Sequence, residues 1–205
     1  LAVVFNAVAG LRKQKSDGAE RESLLAIVQE EAERLRDIVS DLLDFARPRP
    51  PELPPADVAP IVTGAVETAR HAAGVDAGAV SLDLDPAIAP LQCDERLVRQ
   101  AVINLVTNAL QAPARKGPVR VEVREVDGAV AVSVADDGSG IAPDAVGRIF
   151  TPFYSTRPKG TGLGLAIVQR SAEAHGGEID VSTTEGGGAT FTLRLPRRPS
   201  RPDAR

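Results

Sequence analysis

Hydrophobic positions recur along this chain with two periods, and the change from one to the other divides it. Leu1, Val4, Phe5, Val8 and Leu11 share one face of a helix, which the Ser16-Asp17-Gly18 turn closes. From about Ala19 to Ala46 a second helix is predicted. Leu24, Val28, Leu35, Ile38, Leu42 and Phe45 step along it by alternating fours and threes, with Glu31 the one interruption. Leu25, Ala32, Val39 and Ala46 add a neighbouring stripe every seven residues. One hairpin cannot cover so wide an apolar face, so residues 1–46 are expected to pair with a second copy as a four-helix bundle. The alternative cover is the chain's own second domain. Residues 47–55, Arg-Pro-Arg-Pro-Pro-Glu-Leu-Pro-Pro, forbid helix and favour extended geometry. They predict a semi-rigid linker over 47–56, with a proline-rich ligand for another protein as the alternative.

Beyond the prolines the periods alternate. A helix is predicted from Asp57 to about Ala73, a strand from Ala79 to Asp85, and a short strand over 90–93. Asp94 caps a helix that runs to about Ala112, where Pro113 stops it. Strands over 119–126 and 130–134 flank Asp127-Gly128, a hairpin signal. A helix then runs to about Ala174, and Ile179–Thr183 and Thr190–Leu195 flank Gly186-Gly187-Gly188. Both strands of the first hairpin show one apolar face, which helices around Val62, Val102 and Ile167 would cover. The expected class is α+β, a two-layer α/β sandwich over 57–196, followed by a basic, proline-rich tail over 197–205 expected to be disordered.

Composition narrows this picture. With 43% hydrophobic but only 3% aromatic residues among 205, the core must be aliphatic. A net charge of −4 predicts solubility and no preference for nucleic acid. Cys93 stands alone, so a reducing compartment and a buried, inert thiol are expected. No stretch approaches the roughly twenty apolar residues of a membrane span, and no signal-peptide layout is present. A cytoplasmic location without membrane contact by this stretch is therefore expected. The absence of methionine predicts that the sequence is a fragment of a longer protein.

The candidate chemistry lies between Asp136 and Leu165. Gly138 and Gly140 form one glycine-rich turn, and Gly160, Gly162 and Gly164 a second that opens an apolar helix. Alternating glycines let backbone N–H groups face a phosphate without a Cβ in the way, and the helix N-terminus adds its dipole. Asp136 emerges from a strand as a fixed carboxylate; it repels phosphate and suits a donor such as the exocyclic amine of adenine. Neither turn has P-loop spacing or the spacing of a dinucleotide-binding fold. Upstream, Gln100, Asn104, Asn108 and Gln111 form a polar stripe on a helix that also carries a buried face. The stripe reads either as a solvated face or as a ligand-facing one, in which an amide oxygen completes a magnesium shell of phosphate oxygens and water.

Asn104-Leu-Val-Thr-Asn108-Ala, Asp136-x-Gly138-x-Gly140-Ile141, Ile149-Phe150-x-Pro152-Phe153-Tyr154 and Gly160-Thr161-Gly162-Leu163-Gly164-Leu165 resemble the N, G1, F and G2 boxes of sensor histidine kinases. That resemblance implies a Bergerat ATP-binding fold using ATP and Mg²⁺. It implies that Asn108 ligates the metal and Asn104 supports its shell, that Asp136 binds the adenine amine, and that 160–165 hold the triphosphate. Thr190 follows glycines where the family places a hydroxyl near the adenine. Arg157 and Lys159 are cations close to the phosphate turn, suited to offset charge on a transferred group or simply solvated. Phe150, Phe153 and Tyr154, in the segment that resembles the family's ATP lid, suit docking, loop anchoring or both.

The implied reaction moves the γ-phosphoryl group of ATP to a histidine, and from there to an aspartate of a response regulator's receiver domain. The resemblance places the acceptor histidine six residues before Leu1, so no catalytic residue is assigned within this sequence. His71 and His175 lie near helix C-termini, where cations are favoured, and are read as structural. Two alternatives share the fold: a serine kinase of the anti-sigma type, which the hairpin argues against, and a dimeric nucleotide-binding scaffold, which Asn108 argues against.

Overall fold

A computed structural model describes residues 2–12, 18–46, 50–157, 160–184 and 187–197. The chain forms two compact units, Leu1–Pro48 and Arg49–Arg205.

The first unit is a helical hairpin of α1 (Ala2–Arg12) and α2 (Gly18–Ala46). Gly10 lets the helices approach closely, because a Cβ there would lie 3.0 Å from Leu24 Cδ1. Ala7 is buried in the same seam, whereas Leu25, Leu35, Val39, Leu42 and Leu43 remain exposed. The hairpin alone therefore leaves part of its apolar surface in water. Residues 13–17, including the Ser16-Asp17 part of the expected turn, lie outside the described residues.

The second unit begins with β1 (Pro55–Ala56) and α3 (Val58–Ala72), then a 3-10 turn at Ala77–Ala79, β2 (Val80–Leu84), β3 (Leu91–Gln92) and α4 (Glu95–Leu110). It continues with β4 (Val119–Val126), β5 (Ala129–Ala135), the single turn α5 (Pro143–Val146), α6 (Gly164–Ala174), β6 (Glu178–Thr183) and β7 (Ala189–Pro196). The main sheet runs β2-β4-β5-β7-β6, with only the β2–β4 pair parallel. Helix starts are fixed locally: Asp57 Oδ1 accepts the N–H of Ala59 at 3.1 Å and Asp94 Oδ1 that of Leu97 at 3.1 Å. Val58, Ile61, Val62, Ala65, Val66 and Ala69 give α3 its buried stripe, and Val98, Ala101, Val102, Leu105, Val106 and Ala109 do the same for α4. Along β4, Val119, Val121 and Val123 are buried while Arg120 and Glu122 are exposed, which fixes the face the helices cover. Asp127 and Gly128 both take positive φ, 52° and 76°, as the two-residue hairpin between β4 and β5 requires. The core is aliphatic, with Phe191 its one buried Phe, Tyr or Trp among the described residues. Each fully buried Val or Leu contributes about 1.5–3 kcal/mol.

Several expectations need correction. Residues 52–56, read as linker, are fastened to the second unit. Ala56 is buried and pairs with Leu91, Pro54 C=O accepts the N–H of Cys93 at 3.1 Å, and the N–H of Glu52 donates to Asp94 Oδ2 at 3.2 Å. Proline is tolerated here because β1 is two residues long and extended. Arg197, expected in the disordered tail, is also attached: its guanidinium pairs with both oxygens of Glu125 and its N–H donates to Gly128 C=O. Residues 198–205 lie outside the described residues, as do 47–49. His175 is structural, but not as a cation at a helix end. It is buried and its Nε2 accepts the N–H of Asp94 at 2.9 Å, which puts the ring proton on Nδ1, where it donates to Ser171 C=O at 2.6 Å. The ring thus clamps the start of α4 to the end of α6. His71 is exposed, with Nδ1 2.8 Å from Glu67 C=O. Cys93 is fully buried, and desolvation pushes its thiol up to about 11.

Candidate nucleotide-binding site

Where β5 ends at Ala135, the ladder to β7 continues through one more residue: the N–H of Asp136 donates to Ala189 C=O at 2.9 Å. Asp136 is consequently held at the end of the sheet, 6% exposed, and its Oδ1 accepts the N–H of Gly138 at 2.9 Å. The glycines around it are demanded by close approach. A Cβ at Gly138 would lie 2.8 Å from both Ala112 Cβ and Pro113 O, and one at Gly188, whose φ is +85°, would overlap the Asp136 carbonyl oxygen. Gly140, at φ +70°, faces Gly188. Thr190 pairs with Ala135 across the ladder, one residue before Asp136, and its hydroxyl bonds that of buried Thr184 at 2.9 Å. Sequence reasoning missed Asp137. Its Oδ1 and Oδ2 accept the N–H groups of Lys116 and Gly117 at 3.1 and 2.7 Å, and the Lys116 N–H first of all holds its carboxyl below the usual value. It thereby pins the loop after α4 to the first glycine turn.

The opposite wall is the start of α6. Leu163 is its N-cap residue and offers no side-chain cap, so the first-turn amides have no side-chain acceptor there. Thr161 Oγ1 accepts the N–H of Leu163 at 3.3 Å just before the helix, and Gly160 N–H donates to Arg157 C=O at 3.1 Å. Gly162, at φ +70°, lets the chain pass the Phe153–Tyr154 backbone, 2.5 Å from where a Cβ would sit, and accepts the N–H of Phe153 at 2.9 Å. The Leu163 side chain is buried, and Leu165 and Ile141 pack on the core, so these three offer a ligand mainly their backbone.

Helix α4 runs between the two walls. Asn104 Nδ2 donates to Gly164 C=O at 3.3 Å, joining the amide stripe to the first turn of α6. At the other end, Asn108 Oδ1 and Gln111 Oε1 accept from Arg157 Nη1 at 3.3 and 2.9 Å, and Asn108 C=O accepts from Arg157 Nη2 at 2.8 Å. Burial pushes the pKa of Arg157 down, and the charge of Asp136 partly restores it. The structure therefore brings Asn104, Asn108, Asp136, Arg157 and Gly164 to one region, whereas Lys159 lies outside the described residues. Among the aromatics, Phe150 stacks edge-on against Phe191 at 6.5 Å and Arg148 lies 4.5 Å over the Tyr154 ring, while Phe153 is 65% exposed. Anchoring accounts for two of the three.

These groups fit a magnesium-chelated nucleotide. No three His, Cys, Asp or Glu gather into a metal-binding group among the described residues, so the chain offers a metal a neutral oxygen, with phosphate and water left to complete the shell. Asn108 Oδ1 already accepts from a cation. Glycine-lined amides at α6 suit phosphate, and the buried carboxylate of Asp136 suits an amine donor.

Residues 93–199 match the family described as histidine kinase-, DNA gyrase B-, and HSP90-like ATPase. The sensor histidine kinase ZraS of Klebsiella oxytoca is 40% identical over 182 residues, 88% of this chain and 39% of that protein. The signal transduction histidine-protein kinase AtoS of Escherichia coli is 36% identical over 203 residues, 97% of this chain and 33% of that protein. Among solved structures, full-length ShkA in complex with AMPPNP matches with a TM-score of 0.73 at 31% identity, covering 93% of this chain and 41% of that one. The chain spans about two fifths of the length of the curated relatives it matches first. No helix among the described residues is long and apolar enough to cross a membrane. With its family match extending over 93–199, the chain belongs to the histidine kinase-, DNA gyrase B- and HSP90-like ATPases, and sensor histidine kinases are among the relatives it resembles.

Proposed function

We propose that this chain is the kinase core of a sensor histidine kinase, which binds ATP with Mg²⁺ between the two glycine turns and directs the γ-phosphoryl group to a histidine. The observation that carries this reading is the convergence of a buried strand-end carboxylate, Asp136, and an uncapped helix start, α6, on the amide stripe of α4. Asp136 accepts the adenine amine; Thr190, which pairs with Ala135 and bonds Thr184 through its hydroxyl, falls on the opposite face of the ladder and takes no part. The amides of 160–165 hold the phosphates, Asn108 Oδ1 contributes one metal ligand, and Asn104 steadies α6 against α4. The metal, when bound, neutralises phosphate charge. The imidazole nitrogen bonds to the γ-phosphorus as its bond to the β-phosphate oxygen breaks, and the electron pair leaves with ADP.

His71 and His175 are not the acceptor, since His175 is buried as a clamp and His71 is committed to its own helix. Asparagine at 104 cannot take a proton from water, which favours transfer over hydrolysis. The exposed Leu25, Leu35, Val39, Leu42 and Leu43 support homodimerisation through residues 1–46. A response-regulator receiver domain is the proposed second acceptor, and the cytoplasm the proposed location.

The test is to mix the chain with γ-labelled ATP, Mg²⁺ and a partner chain bearing the histidine-containing helix. Acid-labile, base-stable label on that helix is expected; tight ATP binding without such label would overturn the kinase reading.

A further inference from the structure

Arg157 lies 49 residues after Asn108, yet its guanidinium closes on the C-terminal turn of α4 through the three acceptors described above. All three are neutral oxygens, at the end of the helix where the dipole favours a cation. Among the described residues no carboxylate pairs with this guanidinium, and a phosphate would bind it more strongly. One of the three acceptors, Asn108 Oδ1, is also the oxygen assigned to the metal.

We propose that Arg157 is a resident cation, which occupies the Asn108 carboxamide oxygen in the nucleotide-free chain and must yield it to the metal–nucleotide, with Gln111 as the positioning residue that holds it there. The proposal rests on the nucleotide reading of the pocket and adds a competition within it. Its mechanical consequence follows from the local chain. Ser155 Oγ accepts the Arg157 N–H at 3.1 Å and donates to Arg157 C=O at 3.2 Å, while that same carbonyl accepts the Gly160 N–H at 3.1 Å. The guanidinium thus tethers this locally bonded base of the second glycine turn to α4, and moving it off α4 would loosen that tether while leaving the local bonds in place. Displaced from Asn108, the guanidinium is free to turn onto the incoming phosphates.

Gln111 separates this from a plain phosphate contact, because it is exposed and outside the nucleotide set, and altering it leaves Arg157 in place. In the 205-residue chain, Gln111→Leu weakens the hold and should tighten Mg·ADP binding by about 3- to 10-fold, while metal-free ADP in EDTA changes by less than about 2-fold. Gln111→Glu converts a neutral acceptor to a carboxylate and should weaken Mg·ADP binding. Hydrogen exchange of residues 150–157 without nucleotide should be faster in Gln111→Leu and slower in Gln111→Glu. A merely structural Gln111 would lower affinity and protection in both variants. That result, or Mg·ADP affinity unchanged in Gln111→Leu, overturns the proposal. Asp136→Asn is measured alongside. If it weakens binding by about 10-fold or more while Gln111→Leu changes nothing, the resident cation fails and the pocket stands; if it leaves binding intact, the pocket reading fails and the proposal with it.

Discussion

The two glycine turns look alike in sequence and differ in how they are held. Asp136–Gly140 is bonded to three neighbouring segments: to β7 through the Asp136 N–H, to the loop just after α4 through the Ser139 N–H on Pro113 C=O at 2.9 Å, and to residues 116–117 through Asp137. Gly160–Gly164 bonds its near neighbours Arg157 and Phe153, and reaches α4 through Asn104 and through the guanidinium of Arg157. Glycine in the first turn answers packing against the sheet end and the loop after α4; in the second it answers the close passage of the Phe153–Tyr154 backbone. On the proposed function, the first turn would be a fixed wall facing the base and the second a movable wall gripping phosphate.

Substitutions separate the two walls. The largest effect is expected at Gly188, where a methyl group would overlap the Asp136 carbonyl oxygen at a φ of +85°. Gly188→Ala should cost roughly 3 kcal/mol or more of stability, read as a lowered melting temperature with nucleotide absent. Gly162→Ala meets a comparable clash with the Phe153 backbone but in the movable wall. It should weaken nucleotide binding by about 10-fold or more while the melting temperature of the ligand-free chain shifts by only about 1–2 °C, because the strain is relieved by local release. An equal loss of stability in both variants would erase the distinction between the walls.

The smallest effect is a pH dependence of the fixed wall. Backbone N–H groups hold the Asp137 carboxyl below its ordinary value of 3.8, so its ionised form is favoured in the folded chain. That contribution is complete above the ordinary value and disappears as the pH falls through the lowered one. Between about pH 4 and pH 2 the wild-type melting temperature should therefore fall more steeply than that of Asp137→Asn.

What the sequence made legible were the local patterns. The stripes of α3 and α4, the Asp57 and Asp94 caps and the Asp127-Gly128 turn each follow from residues within a few positions of one another. Asp136 and the glycines were legible because a carboxylate at a strand end followed by glycines at alternate positions marks a turn with backbone N–H groups left open. Other contacts join residues far apart: Asp94 to His175 over 81 positions, Arg157 to Asn108 over 49, Asp137 to Lys116 over 21. Nothing periodic announces such pairs. The β1–β3 pairing was concealed by prolines that argue for a linker, and became a short extended ladder because Ala56 and Leu91 are buried together.

The proposed function requires Asp136 to read the base of a magnesium-bound nucleotide. Isothermal titration of Mg·ATP into the chain and into Asp136→Asn tests this most directly, with melting temperatures to show that both are folded. The account predicts that binding weakens by about 10- to 100-fold when the buried carboxylate becomes an amide; equal affinity in a folded Asp136→Asn chain would contradict it.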